Sequence, residues 1–195
     1  MSRRLAQIDR RTKETEIEVS LNLDGGGGGE VETGLPFLDH MIATLARHAR
    51  FDLKLVCRGD LEVDDHHTSE DCALALGAAL DRALGERRGI ARFGHAYAPL
   101  DEALARATID LSGRPYSVIY LGLARNDLGG WAAENVEHFF RSFATSARAT
   151  LHVELLRGVN DHHRIEAAFK SLALAVRQAV ALDGGAEIPS TKGAL

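Results

Sequence analysis

Polar and apolar residues alternate from position 15 to 23, with Ile17, Val19, Leu21 and Leu23 on one side. That period-2 pattern predicts a half-buried strand. Asp24 and five glycines at 25–29 follow. They predict a flexible hairpin turn, with Val31 starting the return strand. No Gly-Lys-Ser/Thr follows the glycines, so a phosphate-binding P-loop is not expected. Pro36 marks a helix start, and apolar residues then recur at helical spacing as far as Ala49. Residues 51–57 alternate again. Residues 66–84 are rich in Ala and Leu and read as a helix that stops before Gly85.

The second half of the chain repeats this order. Residues 91–111 predict two strands about a turn near Pro99, and residues 116–121 a further strand. A helix over 134–149, a strand over 151–156 and a long helix over 162–182 complete the pattern. Residues 188–193 are polar and turn-rich, the composition of a frayed terminus. Sliding the first half by 96 positions lands His66, His67 and Glu70 on His162, His163 and Glu166. The helix carrying His40 falls close to the helix carrying His138. The expectation is an α+β fold made of an internally duplicated unit, each half a small sheet backed by two helices. One catalytic domain would then span 1–195, with halves of about 1–95 and 96–195.

Bulk properties narrow the function only by exclusion. The 195 residues are 45% hydrophobic and 26% charged, enough for a substantial core. A net charge of -5 gives no reason to expect nucleic acid or an anionic membrane as partner, so any phosphate site must be local. Cys57 and Cys72 are the only cysteines. They form neither a disulfide framework nor a CxxC zinc motif, and they suit reduced thiols in a cytoplasmic protein. No apolar segment follows the first residues as a signal peptide would require, and no run suits a membrane span.

The chemistry lies in the doubled cluster. Asp64-Asp65-His66-His67-Thr68-Ser69-Glu70-Asp71 and Asn160-Asp161-His162-His163-Arg164-Ile165-Glu166-Ala167 are two copies of one His-His-x-x-Glu arrangement. Asp64, Asp65, Asn160 and Asp161 are capping candidates for the two helices. Capping does not account for the paired histidines. Residues four apart share a helix face, so His66 with Glu70, and His162 with Glu166, can each hold one ion. Adjacent residues diverge by about 100°, so each His-His doublet serves two ions. His40 and His138 complete a set of six histidines and two carboxylates. Imidazole and carboxylate without thiolate suit an octahedral first-row ion such as Mn, Fe or Co. His95 and His152 lie outside the pattern and read as strand or surface histidines.

These segments resemble the imidazoleglycerol-phosphate dehydratase family of histidine biosynthesis. The resemblance runs through Arg11-Thr12-Lys13-Glu14-Thr15, Phe37-Leu38-Asp39-His40-Met41 and the first histidine cluster. It continues through Ser112-Gly113-Arg114-Pro115, His138-Phe139-Phe140, the second cluster as far as Lys170, and Pro189-Ser190-Thr191-Lys192-Gly193. It covers nearly the whole chain, and only the five-glycine turn departs from the usual pattern. With no fused phosphatase domain, the resemblance reads as the single-function form. It implies helices packed between two sheets, and two Mn(II) ions per active site. It implies a homo-oligomer, a 24-subunit shell assembled from trimers, with active sites between subunits. Carried over by position, the metal ligands are His40, His66, His67, Glu70, His138, His162, His163 and Glu166. Glu14, His48, Arg92, Arg114, Ser190 and Lys192 match substrate-contact positions.

The reaction so implied is a hydro-lyase step, loss of water from D-erythro-imidazole glycerol phosphate to give imidazole acetol phosphate. The proton to be removed has no adjacent carbonyl to acidify it. Two metals on the ring nitrogens would favour an imidazolate, which can expel the neighbouring hydroxyl through a diazafulvene-like intermediate. Glu14 is the candidate base, and Arg92, Arg114 and Lys192 the candidate grip on phosphate. Two rivals fit the ligands: a dinuclear metallohydrolase, and a metal store or sensor with saturated coordination.

Overall fold

The structure, a computed structural model, describes residues 4–195. The first half runs β1 (Leu5–Arg11), β2 (Thr15–Asn22), β3 (Gly29–Glu32), α1 (Pro36–Ala49), β4 (Asp52–Gly59) and α2 (His66–Leu84). The second runs β5 (Phe93–Leu100), β6 (Ala103–Asp110), β7 (Tyr116–Tyr120), β8 (Asp127–Leu128), β9 (Trp131–Ala132), α3 (Ala133–Ser146), β10 (Thr150–Arg157) and α4 (Asp161–Ala179). The sheets have equivalent strand orders, β1-β2-β4-β3 and β5-β6-β10-β7. The helices lie between them. Helix α2 backs β1 and β2, α4 backs β5 and β6, and α1 packs on α4 while α2 packs on α3. The expected α+β fold, with helices between two sheets, is the one observed.

Local chemistry accounts for the ends of the elements. Pro36 opens α1, and Arg50 closes it in a left-handed conformation at φ 60°. Asn160 caps α4 by accepting a 2.9 Å bond from the His162 N–H. Asp64 accepts a 2.9 Å bond from the His66 N–H at the start of α2. Asp65 and Asp161 turn away to other backbone: Ala132 N–H donates to Asp65 at 2.7 Å, and the Ala124 and Arg125 N–H groups donate to Asp161 at 2.8 and 2.7 Å. The core is aromatic around α3 and α4. Trp131, Phe139, Phe140 and Phe169 are fully buried, and the Phe140 and Phe169 rings lie 4.7 Å apart. Cutting Phe169 to Ala would cost about 3–5 kcal/mol. At Gly77 a Cβ would stand 2.6 Å from the Phe143 carbonyl, so only glycine lets α2 and α3 approach this closely.

One expectation needs correction, and three strands were not expected from the sequence. The glycines at 25–29 do not close a hairpin between β2 and the strand of Val31. Strand β3 crosses over and pairs parallel with β4, Val31 opposite Leu55. Asp52 organises the crossing loop, accepting from the Gly26 and Gly28 N–H groups at 2.9 and 3.2 Å. Gly29, at φ 143°, lies so close to β4 that a Cβ would overlap the Leu53 carbonyl. The second-half turn lies near Pro99, as expected, at Asp101 with φ 46°, and Pro99 itself sits at the end of edge strand β5, where a missing N–H is tolerated. Strand β1 escaped notice because only Ala6 is well buried along it. The short β8–β9 ribbon, which carries Trp131, was also missed. His95 and His152 lie on β5 and β10, on the outer face of the second sheet, as expected. Cys57 and Cys72 are buried free thiols. Among the described residues, no helix is long and apolar enough to cross a membrane.

Candidate metal centre

The four helices present two triads, each from side chains near the helix N-terminal ends. One joins His66 and Glu70 of α2 with His138 of α3. The other joins His162 and Glu166 of α4 with His40 of α1. In each, one potential ligand atom per residue lies within 4.8 Å of the others. In the first, the Glu70 carboxylate is 3.2 Å from His138 Nε2 and 3.9 Å from His66 Nε2. In the second, Glu166 Oε2 lies 3.3 Å from His40 Nε2 and 3.2 Å from His162 Nε2. The buried Phe37 ring, 5.0 Å from that of His162 and 6.2 Å from that of Trp131, packs beside the second triad.

His67 and His163 are not in the triads. The helix turns them away, with ring centroids 6.0 Å from His66 and 6.1 Å from His162. Each is oriented through Nδ1 by a carboxylate: His67 by Asp60 at 3.1 Å, His163 by Glu102 at 2.7 Å. The Asn135 side-chain oxygen does the same for His66 Nδ1 at 2.9 Å. A histidine held at Nδ1 presents Nε2, the arrangement found around bound cations. The four imidazoles and two carboxylates of the triads, with no thiolate, fit a hard to borderline divalent ion.

Electrostatics distinguish the two triads. Burial opposes ionisation of Glu166, but Lys170, 2.6 Å away, together with His40 and His162, outweighs it and holds the carboxyl below its ordinary range. Glu70 is more exposed, and Leu74 stands where a matching lysine would be. The Asp60 carboxylate lifts the His67 imidazole above the ordinary histidine range, and Glu102 does so for His163. Glu102 itself is held down to about 2 by the Asn160 N–H, then by His163 and the Val159 N–H. His48 lies two turns beyond His40, and burial, then the Lys170 charge, lowers its pKa.

The substrate-contact positions divide. Glu14 sits in the β1–β2 turn with its carboxylate 3.9 Å from His67 Nε2. Arg92, Arg114, Ser190 and Lys192 gather at the opposite end of the second sheet. The Arg92 N–H donates to the Ala179 carbonyl at the far end of α4. Seventeen residues separate His162 from Ala179, about 25 Å along the helix at 1.5 Å per residue. The Arg92 guanidinium donates to Asp110 at 2.7 and 3.1 Å and to the Pro189 carbonyl at 2.7 Å, anchoring the C-terminal segment. Arg114 is tied to the same corner by the Thr150 hydroxyl, which donates to its carbonyl at 3.3 Å. Ser190 Oγ accepts from the Lys192 N–H at 3.2 Å, and Lys192 is exposed. Asp60, Glu102, Asn135 and Lys170 were not foreseen as site residues. They lie 7, 61, 69 and 4 positions from their partners, and only the Lys170 spacing, i to i+4 on one helix, was a usable signal.

The chain matches known proteins over nearly its full length. A model of the family described as imidazoleglycerol-phosphate dehydratase matches residues 33–176. A protein of that name from Zymomonas mobilis is 55% identical over 194 residues, covering 98% of this chain and 99% of the relative. One from Phytophthora nicotianae is 59% identical over 192 residues, and there the chain spans only 42% of a longer relative. A solved structure of the Pyrococcus furiosus protein superposes with a TM-score of 0.83 at 36% identity, covering 96% of this chain and 100% of that one.

Proposed function

The chain belongs to the imidazoleglycerol-phosphate dehydratase family, and we propose that it dehydrates D-erythro-imidazole glycerol phosphate to imidazole acetol phosphate in the cytoplasm. The observation that carries this reading is the pair of matching triads, each two imidazoles and a carboxylate. Their ligands would be His40, His162 and Glu166 in one, and His66, Glu70 and His138 in the other. His67 and His163, turned outward on the same helices, would complete the coordination shared with neighbouring copies. Two divalent ions, Mn(II) as the family resemblance implies, would supply charge that favours the imidazolate form of the substrate ring and so departure of the hydroxyl through a diazafulvene-like species.

The chain's own residues do the rest. Glu14, exposed beside His67, takes the proton from the carbon adjacent to the one that loses the hydroxyl. His48 lines the approach along α1. Arg92, Arg114, Ser190 and Lys192 hold the phosphate through charge-assisted bonds. Arg92 spends three of its five N–H groups on Asp110 and Pro189, so two remain for an anion. The phosphate group lies only a few bonds from the ring, and no small substrate spans the roughly 25 Å of α4 between the two ends. A complete site therefore draws its metal end and its phosphate end from different copies, consistent with a shell of 24 subunits built from trimers. The test is direct: metal-stripped protein is incubated with imidazole glycerol phosphate, with and without Mn(II), and the ketone product is followed. Turnover only with metal supports the reading; ester or amide hydrolysis without dehydration would favour a dinuclear hydrolase.

A further inference from the structure

A hydrogen-bonded chain ties the turn that carries Glu14 to the metal-bearing helix. Asp71, one residue beyond Glu70 and only 5% exposed, is its buried end. Its Oδ1 accepts from Arg10 Nε at 3.0 Å and from a terminal guanidinium nitrogen at 2.6 Å. Its Oδ2 accepts from the Thr15 hydroxyl at 2.5 Å. Thr15 is 4% exposed, and its single O–H is committed to Asp71. The Thr12 hydroxyl, 3.2 Å from Thr15 Oγ1, must therefore be the donor between the two threonines. Thr12 Oγ1 in turn accepts from the Glu14 and Thr15 N–H groups at 3.1 and 2.9 Å. The Glu14 carbonyl accepts from the Asp60 N–H at 3.1 Å, and the Asp60 side chain orients His67. The backbone of Glu14 is thus fixed on both sides while its carboxylate stays free.

The duplicated half does without this chain. The 96-residue shift places the buried Ala167 where Asp71 stands. The β5–β6 turn has no threonine pair, and Glu102 is pinned by the Val159 and Asn160 N–H groups and by His163. The same sheet and helix therefore pack without the network, and the fold alone does not demand it. We propose that Thr12, Thr15 and Asp71 are positioning residues that lock the β1–β2 turn to α2 and hold the Glu14 carboxylate at the His67 edge of the site. The proposal rests on the assignment of Glu14 as the proton-transfer base.

Thr15→Val removes the hydroxyl at nearly constant shape, and Thr15→Ser keeps it. Each is made in the metal-loaded full chain, alone and with Glu14→Gln. The expected result is a fall in kcat of about 10-fold or more for Thr15→Val, within what a misplaced general base can cost. KM and metal content should stay at wild-type values, and Thr15→Ser should restore the rate. In the Glu14→Gln background, Thr15→Val should cost nothing further. A full rate in Thr15→Val, or the same loss in both backgrounds, would overturn the proposal. If Thr15→Val loses metal or does not fold, Thr12→Ala in the exposed turn carries the same test. A full rate in Glu14→Gln alone would remove the base assignment instead. Amide hydrogen exchange at Glu14 and Thr15 would then decide whether the network still orders the turn, faster exchange in Thr15→Val supporting it and unchanged exchange refuting it.

Discussion

The triad end of the helix layer and the corner that carries Arg92, Arg114, Ser190 and Lys192 are built in opposite ways. At the triad end, side chains from four helices form the two triads, and a carboxylate orients the second ring of each doublet. At the other corner, the Arg92 side chain holds a segment that carries the half-buried Ser190 and the exposed Lys192. A preorganised cluster suits a cation that demands fixed ligands; a cationic corner with an exposed lysine suits a phosphate that arrives with the substrate. Each end is one part of the proposed site, and on that proposal their separation along α4 assigns them to different copies.

Perturbing the triad end should have the larger effect. His66→Ala and His162→Ala are each expected to abolish turnover and to lower bound metal, as elemental analysis after dialysis would read. A variant with full metal and full rate would remove that residue from the ligand set. Chelation should act through assembly, converting a large shell into smaller oligomers, trimers by expectation, with Mn(II) reversing it. Light scattering after size exclusion measures this, and one unchanged species at proven metal loss would contradict it. Glu14→Gln should keep its metal and lose roughly 10²–10⁴-fold in kcat.

At the other corner, Lys192→Ala should raise KM by roughly 10-fold or more, the weight of one charge-assisted bond, and leave Tm unchanged. An unaltered KM would return the C-terminal residues to the frayed end that their composition suggests. The smallest effect belongs to a region outside both ends. The Gly26 and Gly28 N–H groups hold the Asp52 carboxyl below its ordinary value of 3.8. Its contribution to stability is present above that value and is lost as pH falls through the lower folded value. Asp52→Ala should therefore lower Tm slightly at neutral pH, with the gap from wild type closing below about pH 4 and kcat unmoved. A constant gap across pH would assign the loss to the loop itself.

The same contrast explains what was legible in the sequence. Spacing within one helix marks His66 with Glu70 and His162 with Glu166, and the repeat links them to His138 and His40. The long helices announce themselves through period and caps, as Pro36 and Asn160 do. The glycine run signals that the chain turns but not which strand it joins, because the partner, β4, comes more than twenty residues later. Asn135 and Glu102 carry no local mark, because their partners are 69 and 61 positions away. Glu14, Arg92, Arg114 and Lys192 were marked only by resemblance to a family; each alone looks like an ordinary surface charge.

Subunit complementation tests the central claim most directly. His162→Ala, lacking a triad ligand, and a chain cut after Pro189, lacking Ser190 and Lys192, are co-expressed with different tags. Assemblies carrying both tags are then purified and assayed with Mn(II). Sites shared between copies predict that two inactive chains together regain activity, up to roughly a quarter of wild type for random mixing in a symmetric assembly. Mixed assemblies as inactive as either parent would show that each site is built within one chain, against the separation on which this account rests.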